Sequence, residues 1–365
     1  MRSRNLLALA AAGLLALGAA ACGSSSSSST GSSTTATGSV KGTVTGAGST
    51  FAAPIYQQWA SNLKGQGLTL NYNPIGSGGG VAQFTAGTVN FAGTDPPLKD
   101  DEVKAASAKG TPLDIPMAFG AITVSYNVSG LKTGLKLDGP TTANIFLGTI
   151  KKWNDPAIAK LNPGVNLPST SITIVHRSDS SGTTKGFTGY LAAVSPTWSS
   201  KVGSDKTVSW PTGTGAKGNQ GVAGAIKQTD GAVGYVEQAY ALQNNFTYAS
   251  VKNKSGSFVA PTLQSTTAAG DGVTVPADLR FTVINSPNPQ AYPIASQTFI
   301  VVYKDPCKAG MSQANATALV GFLNYGLDAG QSVAKQLSYA PLPSAIASQA
   351  KGAVGTMTCN GAALK

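Results

Sequence analysis

From residue 44 onward, apolar positions follow one rhythm three times: a short alternating or β-branched run, a turn of small polar residues, then apolar residues at helical spacing. The first unit runs from Val44 through a glycine-rich turn at Gly46, Gly48, Ser49 and Thr50. Phe51, Ile55, Trp59 and Leu63 then recur every four residues and predict a helix over 52–63. Pro54 falls in its first turn, where proline is tolerated, and Ser49 or Thr50 is the natural N-cap. The second unit alternates over 68–72, turns through the Ser77-Gly78-Gly79-Gly80 stretch and continues as a helix over 81–86. The third is a strand over 89–93, the turn Thr94-Asp95-Pro96-Pro97 and a charged helix over 99–109.

Further along, 115–126 is a long apolar strand suited to cross into a second lobe. Short helical patterns at 144–147 and 156–161 flank Trp153. The β-branched run 173–176 ends in Arg177; a Ser/Asp/Gly turn follows, then a helix with Phe187, Tyr190 and Leu191 on one face. A helix over 221–227 and a strand over 231–236 come next. Residues 290–294 with 299–303 read as a return crossing, and 316–337 as one amphipathic helix striped by Leu319, Phe322, Leu323 and Leu327. Strands alternating with helices imply an α/β fold with a largely parallel sheet, whose ligands sit beyond the carboxyl ends of the strands. No repeat of solenoid period is present.

Composition narrows the class. The 365 residues are 41% hydrophobic and only 11% charged, with 44 glycines, which suits a rigid, loop-rich globular protein. The net charge of +11 is spread thinly, without the basic-aromatic clustering of a nucleic-acid surface. Arg2 and Arg4 precede an apolar run over 6–20, too short for a comfortable membrane span, so 1–21 reads as a signal peptide. The run ends in Ala19-Ala20-Ala21-Cys22-Gly23. Two readings fit: a lipoprotein site with Cys22 acylated, although a larger aliphatic residue is usual at the place of Ala19, or ordinary cleavage after the alanines. The Ser/Thr/Gly stretch 22–42 reads as a flexible tether and favours lipidation. If Cys22 carries lipid, Cys307 and Cys359 remain as an even pair in an exported chain and most simply form a disulfide; two free thiols are the alternative.

The stretch around Arg177 collects a guanidinium, several hydroxyls and the free N–H groups of a helix start, parts that suit an oxyanion. Asp179 is better placed to brace Arg177 than to touch an anion, which an unpaired acid would repel. Ser49, Thr50, Ser77 and Ser181 taken singly are equally good helix caps. Enzyme chemistry finds little footing. The single histidine, His176, neighbours Arg177 on a strand and so faces the other side. There is no Gly-x-Ser-x-Gly elbow around these serines, no Gly-x-x-x-x-Gly-Lys-Ser/Thr loop, and too few Cys and His for a typical zinc site.

Several motifs occur in a fixed order. They are Gly46-Ala47-Gly48-Ser49-Thr50-Phe51-x-x-Pro54, Gly76-Ser77-Gly78-Gly79-Gly80-Val81, Gly93-Thr94-Asp95 and Leu147-Gly148-x-Ile150-x-x-Trp153-Asn154-Asp155-Pro156. Arg177-x-Asp179-x-Ser181-Gly182-Thr183 and Gly231-Ala232-Val233-Gly234-Tyr235-Val236 complete the series. From about Thr43 to the C-terminus the chain resembles the phosphate-binding, substrate-receiving subunits of high-affinity phosphate ABC transporters, in their lipoprotein form. The resemblance implies a two-lobe type II periplasmic binding protein fold with two interlobe crossings, one lobe being 43–123 plus 290–365 and the other 124–289. It implies inorganic phosphate in the cleft, held by Ser49, Thr50, Phe51 (through its backbone N–H), Ser77, Asp95, Arg177, Ser181, Gly182 and Thr183. Asp95 would accept the hydrogen bond of the phosphate O–H and repel sulfate, which carries no proton. The resemblance also implies permease and ATPase partners, a lipid anchor at the outer face of the cell membrane, a monomer, and no cofactor, metal or catalytic residue. A secreted phosphomonoester hydrolase on the same scaffold is the alternative.

Overall fold

The computed structural model describes residues 40–364. The stretch read as a signal peptide, Cys22 and the stretch read as a tether up to residue 39 lie outside the described residues. Val40 is buried and Gly42 already pairs with Leu68, so the fold includes the last three residues of the stretch read as tether.

The three opening units fold as strand, turn and helix. They are β1 (Gly42–Gly48) with α1 (Ala53–Leu63), β2 (Leu68–Asn73) with α2 (Ser77–Ala86), and β3 (Phe91–Thr94) with α3 (Asp100–Ala106). The helix read at 81–86 starts four residues earlier, so the glycine run is its first turn. Small residues are needed there because a Cβ on Gly80 would lie 2.3 Å from the Ala47 carbonyl oxygen of β1. No side chain caps α1 at Ala52; instead the Ser49 hydroxyl accepts from the Ala52 N–H at 3.0 Å.

The long strand β4 (Pro112–Asn127) follows. Beyond it come β5 (Thr173–Arg177), α4 (Gly182–Val194), β6 (Thr214–Ala216), α5 (Gly218–Gln228), β7 (Ala232–Glu237) and β8 (Ala295–Tyr303). These strands line up as β2-β1-β3-β8-β4-β7-β5-β6 in one curled sheet. The expected parallel sheet is therefore mixed. β1 pairs in parallel with β2 and β3, and β5 in parallel with β6 and β7, but the centre is antiparallel. The cause is β4 itself. Residues 112–121 pair with β8, and 122–127 pair with β7, so one continuous strand serves both halves of the sheet. The chain returns through Ile294, whose carbonyl accepts from Ile122 N–H at 2.9 Å, directly into β8.

The C-terminal helix read at 316–337 is two helices, α6 (Gln313–Leu327) and α7 (Gly330–Gln336). Just past the break at Asp328, the Gly330 carbonyl accepts from Trp59 Nε1 at 2.9 Å. That bond satisfies the indole in the fully buried cluster of Tyr56, Trp59, Phe91 and Phe322, whose contacting rings are 5.7 to 6.4 Å apart. Cys307 and Cys359 are joined by a disulfide. No described helix is long and apolar enough to cross a membrane.

Candidate functional site

The turns after β1 and β3 and the start of α2 come together at the carboxyl ends of parallel strands. They bring Ser49, Thr50, Ser77 and Asp95 into one buried group. Asp95 is 1% exposed. The Ser49 hydroxyl donates to its Oδ1 at 2.5 Å and Thr298 Oγ1 donates to the same oxygen at 3.1 Å. Ser77 Oγ lies 3.4 Å from Oδ2, and Gln297 Nε2 donates to the Asp95 carbonyl at 2.9 Å. Burial pushes the carboxyl up to about 6. The hydroxyl donors and the positive charge of Arg177 oppose that rise without cancelling it.

Facing this group is the β5–α4 turn. Arg177 is 3% exposed at the strand end. Asp179 takes a two-pronged grip on it, accepting from Nε at 2.7 Å and from Nη2 at 2.5 Å. At Asp179 burial works against ionisation, but the Arg177 hydrogen bonds and charge outweigh it and hold the carboxyl below its usual range. Arg177 Nη1 also donates to Thr183 Oγ1 at 3.3 Å. A guanidinium has five N–H donors, so one N–H on each terminal nitrogen remains uncommitted in the described structure. Ser181 caps α4, its Oγ accepting from Thr184 N–H at 3.0 Å, which leaves its own proton free to donate outward.

The two groups touch. Gly182 N–H donates to Ser77 Oγ at 3.1 Å, and Gly78 N–H to the Ser180 carbonyl at 3.0 Å. A Cβ on residue 182 would fall 2.3 Å from Asp95 Oδ2, so only glycine permits this approach. The result is one buried acid facing an arginine, several hydroxyls and the backbone N–H groups at the start of α4. Such a set has the donors that suit an oxyanion and one acceptor that suits a proton carried by it.

Ser49, Thr50, Ser77, Asp95, Arg177, Gly182 and Thr183 are linked by these contacts and by the Asn219 side chain, and Ser181 caps the adjoining helix. The Ser49 hydroxyl, however, is engaged with Asp95 and Ala52 and serves the acid; the Phe51 side chain is fully buried, with its carbonyl accepting from Tyr339 Oη at 2.5 Å. His176 stacks on Trp210 with ring centroids 4.7 Å apart, on the other side of β5 from Arg177. Three residues went unnoticed in the sequence: Gln297, Thr298 and Asn219. The first two lie in an apolar return strand that carries no motif. Asn219 had a signal, because Gly218-Asn219 repeats the small-polar turn that opens each of the other site helices.

The family described as a PBP superfamily domain matches residues 33–329. The phosphate-binding protein PstS of Pasteurella multocida is 43% identical over 305 residues, covering 82% of this chain and 86% of its own. The PstS of Xylella fastidiosa strain 9a5c is 41% identical over 311 residues, covering 84% and 83%. The chain belongs to the PstS family of phosphate-binding proteins. Solved structures agree on the fold. A high-affinity periplasmic phosphate-binding protein, PfluDING, determined with phosphate bound, superposes with a TM-score of 0.68 at 23% identity over 85% of this chain and 93% of its own. The phosphate-binding protein of Stenotrophomonas maltophilia gives 0.65 at 20% identity, over 85% and 93%. PstS proteins are thus the frame for this chain's turns, with the fold of type II periplasmic binding proteins. The family is one of substrate-binding components, not of enzymes.

Proposed function

We propose that this chain binds inorganic phosphate between the Asp95 group and the Arg177 turn and hands it to an ABC permease. The observation that carries the reading is the pairing of one buried carboxylate, poised near neutrality, with a field of donors led by Arg177. Thr50, Phe51 N–H, Ser77, Arg177, Ser181 and Thr183 donate to the anion; Asp95 accepts the phosphate O–H; Ser49 orients Asp95, and Gly182, whose N–H is held by Ser77, gives the space for the close approach. Asp179 neutralises Arg177, so the cleft does not hold an excess positive charge that would grip any anion alike.

The two groups belong to separate lobes, 43–123 plus 290–365 and 124–289, that close about β4 and β8 by a hinge motion. Their attachment to opposite halves of the sheet supports this division. The chain is an exported monomer, tethered through acylated Cys22 to the outer face of the cell membrane, with permease subunits beside it and ATPase subunits on the cytoplasmic side. A hydrolase reading gains no support. The relatives are named as binding proteins, and the single histidine is stacked on Trp210 instead of reaching a site hydroxyl.

Calorimetric titration with phosphate, then sulfate, tests the function. Phosphate binds tightly and sulfate weakly; tight sulfate binding, or none by phosphate, overturns the reading. Intact-mass measurement of the membrane-extracted protein tests the anchor, which fails if the mass shows no acyl addition at Cys22.

A further inference from the structure

Asn219 is fully buried in the first turn of α5, between the two groups of site residues. Its side-chain oxygen accepts from the Glu237 backbone N–H at 2.9 Å. A backbone N–H only donates, so this contact fixes which end of the amide is oxygen and which is nitrogen. The nitrogen end then faces two threonines. Nδ2 lies 2.9 Å from Thr50 Oγ1 and 3.1 Å from Thr183 Oγ1, one proton for each. Thr50 Oγ1 accepts a second bond from the Asn219 backbone N–H at 3.2 Å. Thr183 Oγ1 accepts its second from Arg177 Nη1 at 3.3 Å.

A hydroxyl has two lone pairs and one proton. At both threonines the lone pairs are taken by groups that only donate. Each hydroxyl is left with one free function, its own O–H. We propose that Asn219 is a positioning residue that makes Thr50 and Thr183 obligate donors toward the bound anion. The inference rests on the phosphate reading and deepens it. Neither hydroxyl can accept the proton that phosphate carries, so that proton is directed to Asp95. Discrimination between protonated and unprotonated oxyanions therefore depends on Asn219 as well as on the acid. Asn219 also joins Thr50, in the turn after β1, to Thr183, in α4.

The test is a titration of purified full-length protein with inorganic phosphate. In Asn219→Asp, a near-isosteric change, the donor end of the side chain becomes an acceptor, and both threonine protons turn toward it. Phosphate affinity falls by about 100-fold, the scale of one or two hydrogen bonds to a charged group. In the Thr50→Val, Thr183→Val background the same substitution costs less than about fivefold, because the hydroxyls it acts through are gone. A full loss retained in that background overturns the inference, as does a loss under about threefold in the otherwise unmodified chain. Asn219→Ser supplies a second, uncharged cycle if the acidic variant does not fold. Its expected loss is about tenfold, again coupled to Thr183→Val, and additivity of the two overturns the proposal. Absence of phosphate binding by the unmodified chain overturns the underlying functional reading instead, a result distinct from either.

Discussion

Two aspartates in one site are poised in opposite directions. Asp95 and Asp179 both sit at strand-to-helix turns, the first fully buried and the second half-buried. Asp95 has hydroxyls for partners and only the field of Arg177, so burial dominates and lifts it to about 6. Asp179 has the guanidinium itself in a two-pronged contact and is held low. Neutral donors orient a carboxylate without fully compensating its lost hydration, whereas a directly paired cation does both. The group around Asp95 can therefore share a proton with a ligand, and the group around Arg177 cannot. In the proposed function this asymmetry separates recognition of the proton from recognition of the charge.

The most forceful way to break the comparison is to remove the cation. Arg177→Ala leaves Asp179, whose side chain is only 11% exposed in the pair, without its cation and with the Gly218 N–H as its remaining partner. Loss of one partner from a buried pair costs roughly 3–5 kcal/mol of stability, so the melting temperature falls; separately, loss of the charge-assisted hydrogen bonds from Arg177 to the anion lowers phosphate affinity by about 1,000-fold. Calorimetry and thermal melts check this; a loss below tenfold would mean that Arg177 is not the main charge contact.

Asp95→Asn acts on the other side with the opposite sign for stability. The folded acid, at about 6, binds protons more tightly than the 3.8 of an ordinary aspartate. Stability of the ligand-free chain therefore declines as pH rises from about 4 through about 6, and the penalty is complete at pH 7. About two pKa units correspond to roughly 3 kcal/mol, the upper bound on what the amide recovers. The ligand-free variant melts higher than the unmodified chain at pH 7, and this gain vanishes at pH 4. Its phosphate-to-sulfate preference narrows by about 100-fold. A lower melting point at pH 7 would show that hydrogen bonds to the charged acid outweigh its burial.

A gentler form of the same change is made with protons. Below about pH 6 Asp95 is neutral and can donate, so sulfate competes better by about tenfold at pH 5 than at pH 7.5. In Asp95→Asn the sulfate curve is flat across that range; a slope persisting there would place the titration on another group.

The smallest effect lies outside the cleft. Lys99 Nζ and Asp205 form a 2.7 Å pair between the segment before α3 and the loop before β6, but their side chains are 44% and 43% exposed. Exposed pairs contribute little and are screened by salt. Lys99→Ala speeds phosphate release by less than about fivefold at low salt, and the difference disappears near 0.5 M. A larger, salt-insensitive change would make this pair an equal of the buried one.

Most of the local architecture was legible because it is written in short-range periodicity. The three opening units, the Arg177 turn and both crossings follow from apolar spacing and from where glycine, serine and proline interrupt it. The errors have common causes. The antiparallel centre of the sheet depends on β4 meeting β8, two segments joined only through a long excursion. The first turn of α2 is glycine-rich despite the low helix propensity of glycine, because Gly80 meets β1 and Gly78 meets Ser180 too closely for a side chain. The turn after the break at Asp328 meets Trp59, 271 positions away in the chain.

The chain's order of residues by itself determined which side chains stand at helix starts. Hydroxyls, an acid and an arginine were placed at turns by patterns of fewer than ten residues, and their chemistry pointed to an oxyanion. Tertiary structure decided what each of them is free to do. Thr298 reaches Asp95 from 203 positions away, and Asn219 reaches Thr50 from 169. The direction of a hydroxyl proton and the proton affinity of a buried acid are set by neighbours in space and by exclusion of water. Neither is a property of local sequence, so the acceptor and the obligate donors become distinct only in the folded chain.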